Sequence, residues 1–155
     1  MADTQQKTWR KIGDVARELD IAVETIRMYE REGLLIPEKT GSGQRLFNAA
    51  DVHWISCIRC LIKDQGLNLA GIRRMLALLP CWALRPCSED ERKNCPAFIG
   101  ATRPCWMIKT ELSGNCPTTN CRECKVYQSA SHCDNLKALL RNQPDQVKTD
   151  IVVGH

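Results

Sequence analysis

The chain has no run approaching the roughly 18 uninterrupted apolar residues that a membrane span requires. Its first residues, MADTQQKTWRK, carry no apolar segment of the kind a secretory signal needs. No membrane partner is expected, and the expected location is cytoplasmic. Charge of one sign is scarce as well: 22 Lys+Arg stand against 18 Asp+Glu over 155 residues, and the small excess is shared evenly between the two halves. Bulk charge therefore names no partner, and local placement must. Internal repeats, a phosphate-cradling glycine loop and a nucleophile–base pair are all lacking, so the chain is not expected to be an enzyme.

What is abundant is cysteine. Ten are present, and in a reducing compartment that number argues against a disulfide scaffold and for metal ligation or thiol chemistry. Cys57 and Cys60 stand alone upstream, and the other eight fall between Cys81 and Cys133. The first pair has CxxC spacing but lies within a helical pattern, where Cys57 reads as a small core residue and Cys60 as exposed.

Before the cysteine run the sequence is periodic. Ile12, Val15, Ala16 and Leu19 keep the i, i+3, i+4, i+7 spacing of one apolar helix stripe. Val23, Ile26 and Tyr29 predict a second helix, ended by Gly33, which takes the left-handed conformation cheaply. In LLIPEKTGSGQRLF, Pro37 and the Gly41/Gly43 pair bracket a turn between two short extended runs, a hairpin signal. Asp51 is expected to cap a third helix from Val52 to about Gln65. Asn68 or a neighbour opens a fourth, with Leu69, Ile72, Met75, Leu76 and Leu79 on one face, and Pro80 stops it. Two short helices, a tight turn and a basic hairpin make a winged helix-turn-helix whose second helix would enter the major groove. Phosphates need cations and base edges need side chains on a rigid rod; Arg17, Thr25, Arg27, Tyr29, Lys39 and Arg45 are the candidates. Arg73 and Arg74 read as a solvated helix face.

The stretch KIGDVARELDIAVETIRMYEREGLLIPEKTGSGQRLFNAADV, followed by IRCLIKDQGLNLAGIRRML, resembles the MerR family over about residues 11–79. The TIRxYExxGLL core, wing Arg45 with Phe47, the helix-opening DV and the QGLNLAGI turn occur in order. The resemblance implies that Thr25, Arg27 and Tyr29 contact DNA from the recognition helix and Arg45 from the wing. It implies a homodimer on double-stranded promoter DNA, acting with RNA polymerase. Met28 stands where the family often has an aromatic. The long pairing helix of the family has no room at its usual place, because Pro80 and the cysteines follow directly.

From Cys81 the grammar changes to CWALRPC, KNCPAF, RPCW, GNCP and NCREC, rich in proline and without a period. Such a segment buries too little apolar area to offset its ordering entropy unaided. Thiolates holding a metal unit could staple it. The candidate ligands are Cys95, Cys105, Cys121 and Cys124 first, then Cys81, Cys87 and Cys116. Cys133 reads as packing, and His132 as a surface residue. Zinc favours paired short spacings, and only Cys121/Cys124 supplies one, whereas an iron–sulfur cluster accepts scattered ligands. Trp82 and Trp106, each directly after a cysteine, are expected either to wall such a cluster from water or to serve as plain apolar filling. The order CW, C, CPAF, CW, CxxCxVY also resembles a cysteine-rich module of bacterial sensory proteins, and one MerR branch carries a C-terminal cluster that senses redox stress.

The expected fold is mainly α. An N-terminal arm (1–10) precedes the winged helix-turn-helix domain (11–79); a loop-rich, metal-stapled cysteine domain (80–127), a short helix (128–142) and a flexible tail (143–155) follow. The expected function is a DNA-binding regulator whose cysteine domain holds an iron–sulfur cluster, of the 4Fe–4S type, and senses redox, oxygen, nitric oxide or iron status. The alternative is structural zinc, or a soft heavy metal as effector.

Overall fold

The computed structural model describes residues 8–85, 87–112, 114, 116–118 and 120–130. The chain divides into two compact units that part between Arg73 and Arg74, inside the fourth helix and before the proline at which the sequence changes character. Both halves are mainly helical, and no described helix is long and apolar enough to cross a membrane.

The first unit opens with strand β1 (Arg10–Lys11) and helix α1 (Ile12–Leu19). Val15 and Ala16 from the apolar stripe are buried. Asp20 ends α1 in the left-handed conformation (φ 55°), and its neighbour Ile21 donates back to the Ala16 carbonyl at 3.0 Å. That tight turn launches α2 (Val23–Arg31), with Ile26 and Tyr29 buried. Gly33 follows at φ 80°, where a side chain would be strained, so the expected stop is where the sequence places it. Strands β2 (Glu38–Lys39) and β3 (Arg45–Phe47) form the wing. Its tip is closed by Thr40 N–H to Gln44 C=O and Gly43 N–H to Thr40 C=O, both 2.9 Å. The sheet has one strand more than the hairpin pattern predicts, because β1 pairs antiparallel with β3 in the order β1-β3-β2. Two residues carry no periodicity, which is why β1 was not legible.

Helix α3 (Ala49–Lys63) starts three residues before the expected Val52. Its cap is Asn48, not Asp51: Asn48 Oδ1 accepts from Asp51 N–H and Asp51 Oδ2 accepts from Asn48 N–H, both at 2.9 Å. This reciprocal box satisfies two otherwise orphaned donors. Trp54 donates its indole N–H to the Leu34 carbonyl at 2.8 Å, in the buried layer. Phe47, Ile55 and Ile58, fully buried, complete the core with Val15, Ile26, Leu34 and Ile72. Asn68 opens α4 (Leu69–Leu76), its Oδ1 accepting from Gly71 N–H at 2.7 Å. The helix ends at Leu76 rather than Leu79; turns through Leu78 and Leu79 follow it.

The second unit is assembled from very short pieces. Pro80 does not close a region so much as precede the next turn, since α5 (Cys81–Leu84) follows at once. Then come α6 (Glu89–Lys93) and α7 (Pro96–Ile99). Four single 3₁₀ turns cover Cys105–Met107, Lys109–Glu111, Cys116–Thr118 and Cys121–Glu123. Helix α8 (Lys125–Ala130) begins the helical pattern expected from Val126. The remainder of the expected helix, with Cys133 and His132, and the expected tail fall outside the described residues. Trp106, Ile108, Val126 and Tyr127 are buried here, a small apolar complement for so many turns.

Candidate functional site

The cysteines of the second unit are distributed by its turns in a regular way. Cys81, Cys105, Cys116 and Cys121 are each the first residue of a helical turn, and Cys95 is the residue that precedes α7. Cys124 closes one turn and directly precedes α8. Cys-Pro and Cys-Trp dipeptides thus mark the points where the chain changes direction. With Cys87, these turns bring all seven candidate ligands to the wall of one cavity of about 50 Å³, room for a few water-sized bodies. The preference for Cys95, Cys105, Cys121 and Cys124 over Cys81, Cys87 and Cys116 has no counterpart here, because both groups share the wall.

Thiols this close in a desolvated place resist ionisation. Burial, with Cys81, Cys124, Cys121 and Cys116 adding like charge, pushes the Cys105 thiol up to about 12. Burial and the neighbours Cys95, Cys87 and Cys116 push Cys81 up to about 11. Cys87, Cys116 and Cys121 are raised chiefly by burial, with Arg92 opposing at Cys87, Arg85 at Cys116, and Lys109 and Arg85 at Cys121. Among the described residues no group of three or more His, Cys, Asp or Glu stands close enough together to hold a metal ion. Soft metal cations are the chemical match for such a set of thiols: they would displace the protons from the sulfurs and offset the thiolate charge that burial otherwise disfavours.

Arg85, Arg92, Glu91 and Phe98 complete much of the wall. None of the four is marked by the cysteine spacings; only their places four residues after Cys81, four to five after Cys87, and three after Cys95 hint at helical proximity. The two tryptophans are not themselves wall residues. Trp82 meets Phe98 edge-on at 5.1 Å, and Trp106 meets Tyr127 edge-on at 5.1 Å. Phe98 in turn carries the Arg92 guanidinium 5.6 Å from its ring centre. Trp82 therefore backs the lining through Phe98, whereas Tyr127, the ring partner of Trp106, is not a wall residue. Trp82 Nε1 is buried with no acceptor among the described residues, an expensive state for a polar group.

In the first unit, Arg17, Arg27, Lys39 and Arg45 are at least one-third exposed, and each is held by a carboxylate. Arg17 pairs with Asp14, and Arg27 with Glu24 at 3.3 Å. Arg45 pairs with Glu30 through its Nε, and Lys39 reaches the same carboxylate at 3.6 Å. Thr25 is half-buried and lines a shallow 240 Å³ hollow with Tyr29, Arg59 and Lys63. Tyr29, expected among the contacts, is 2% exposed, and burial raises its hydroxyl pKa against the opposing influence of Arg59. Its ring is a core residue in the free chain. Arg59 donates to the Leu19 carbonyl at 2.8 Å and so completes the end of α1. Arg73, expected as a solvated residue, instead donates to the Glu32 carboxylate at 3.1 Å and fastens α4 to the end of α2.

Comparison with known proteins agrees with this first unit. The family model described as "MerR HTH family regulatory protein" matches residues 10–79. The chain is similar to the HTH-type transcriptional regulator GlnR of Bacillus anthracis, 39% identical over 67 residues, covering 43% of this chain and 51% of the relative. It is similar to the HTH-type transcriptional regulator ZntR homolog of Haemophilus influenzae, 39% identical over 69 residues, 44% and 50% of the two chains. With the HTH-type transcriptional regulator MlrA of Escherichia coli it shares 40% over 67 residues, 43% and 27% of the two chains. The chain thus spans about half or less of the length of these relatives. No solved structure matches it significantly. The N-terminal unit, with two helices about the Asp20 turn and a basic wing, is thus similar to the MerR helix-turn-helix domain over the matched residues 10–79.

Proposed function

We propose that this protein is a DNA-binding transcriptional regulator of the MerR type whose cysteine domain holds an iron–sulfur cluster and reports redox, oxygen, nitric oxide or iron status to a promoter. One observation carries the sensory part: seven thiols, spread over 44 residues of sequence (81–124), line a single cavity. One zinc ion or one 4Fe–4S cluster takes four thiolates, and the surplus suits a centre whose ligation changes with its state. The matched relatives named as transcriptional regulators support the DNA-binding part.

The chain's own residues supply the rest. α2 presents Arg27 and Thr25 to a groove, while the wing brings Lys39 and Arg45 to the backbone; Arg17 on α1 adds a phosphate contact. Cys81, Cys87, Cys95, Cys105, Cys116, Cys121 and Cys124 would hold the centre, and Arg85 and Arg92 would offset its negative charge. When bound, the cluster would supply one-electron redox chemistry and reactivity toward oxygen or nitric oxide. Because the turns of this unit carry the ligands, a change in ligation alters its shape. Regulation then requires only that the two shapes differ in free energy between the DNA-binding and non-binding arrangements. A homodimer on promoter DNA, acting with RNA polymerase, is the assembly this reading takes from the family.

Anaerobic purification followed by absorption spectroscopy and assay of iron, sulfide and zinc tests the proposal. A brown protein with near-stoichiometric iron and sulfide, bleached by air, is the expected result. A colourless, zinc-replete protein would replace the cluster with structural zinc. A chain empty of both that takes up cadmium or mercury tightly would make a soft metal the effector.

A further inference from the structure

Glu30 occupies an unusual place in the first unit. It sits near the end of α2, its side chain only 19% exposed, and its two carboxylate oxygens serve two cations of the wing. Oε1 accepts from Arg45 Nε, and Oε2 lies 3.6 Å from Lys39 Nζ. Lys39 and Arg45 are direct cross-strand partners in the β2–β3 pairing. Like charges opposite one another on a hairpin repel, so a two-residue strand pair with this sequence is weakened unless an anion lies between them. The anion comes from the helix rather than from the wing itself.

We propose that Glu30 is a positioning residue for DNA recognition: it sets the wing against α2 and withholds Lys39 and Arg45 from phosphates that do not arrive in register. The proposal rests on the DNA-binding reading above. A correctly placed backbone reaches the two cations alongside the Glu30 carboxylate, which keeps the wing where α2 needs it. A misplaced one must compete with Glu30 for the same cations. Glu30 therefore favours the cognate site over random duplex, at some cost in total affinity.

The test uses the full chain and two duplexes. One is enriched from a random-sequence library by the wild-type protein, and the other is mixed-sequence DNA fragments. Glu30→Gln keeps the shape and removes the charge; Asp64→Asn, on an exposed residue beyond α3, makes the same change in net charge elsewhere. In Glu30→Gln, affinity for mixed-sequence DNA should rise about tenfold, with a log–log salt slope steeper by about 1–2 as two freed cations displace counterions. Discrimination between the duplexes should fall by a similar factor. Hydrogen exchange of backbone amides 38–47 should accelerate in Glu30→Gln alone, without DNA. Equal effects in Asp64→Asn, or unchanged discrimination and unchanged wing exchange in Glu30→Gln, would overturn the proposal. Failure of the wild-type chain to enrich any duplex would defeat the DNA-binding reading instead, and the exchange comparison would still decide whether Glu30 holds the wing.

Discussion

The two units solve the problem of smallness in opposite ways. The first buries Phe47, Ile55, Ile58, Leu34 and Ile26 in one apolar layer, closes its helices with Asn48, Asp51 and Asn68, and uses Arg59, Arg73 and Trp54 to satisfy backbone carbonyls or a carboxylate across elements. The second has turns of three to six residues, a few buried apolar side chains, and thiols where a core would be. A unit of the first kind is stable whatever its surroundings contain. On the proposed reading, a unit of the second kind would be stable in proportion to what its thiols hold, the dependence that a sensor requires.

Removing metal should separate the units most completely. Treatment of the reduced, anaerobic full chain with a strong chelator should expose 80–130 to limited proteolysis and leave 10–73 protected, because the second unit would then have only its small apolar core and no staple. Equal protection of both regions by mass spectrometry of the fragments would erase the contrast. The reciprocal experiment attacks the apolar layer. Phe47→Ala should cost about 3–5 kcal/mol, read as faster hydrogen exchange over 45–63, while iron, sulfide or zinc content stays at the wild-type level. Loss of metal content in that variant would show that the units do not stand independently. The smallest effect is local: Asn48→Ala should lower the stability of the first unit by about 1 kcal/mol in denaturant titration. Asp51→Ala should cost a comparable amount, because the box is reciprocal; an Asn48→Ala variant as stable as wild type would show that Asp51 alone caps α3.

Legibility in the sequence follows the same divide. Helices α1 and α2 were readable because a stripe such as Ile12, Val15, Ala16 and Leu19 has no meaning except on a helix packed on one side. The hairpin was readable because Gly43, at φ 88°, occupies a conformation that other residues avoid. The cap of α3 was misplaced because Asn48 and Asp51 both belong to the residue types that cap helices, and only the three-residue loop of hydrogen bonds between them decides which is which. Arg73 was misjudged because its partner Glu32 is 41 positions away. In the second unit the meeting of the seven cysteines on one wall was not legible in their order, since spacing along the chain measures reach only where the chain is straight or helical.

By itself the sequence determined the kinds of interaction available: a periodic half able to bury an apolar face, an aperiodic half obliged to find another source of order, and soft donors enough to supply it. Tertiary structure alone decided which groups meet. It placed Glu30 between Lys39 and Arg45, drew Tyr29 inside, and gathered seven thiols with Arg85 and Arg92 around one cavity. Periodicity is a local property and survives in one dimension, whereas convergence depends on turns whose directions are set jointly by everything packed against them.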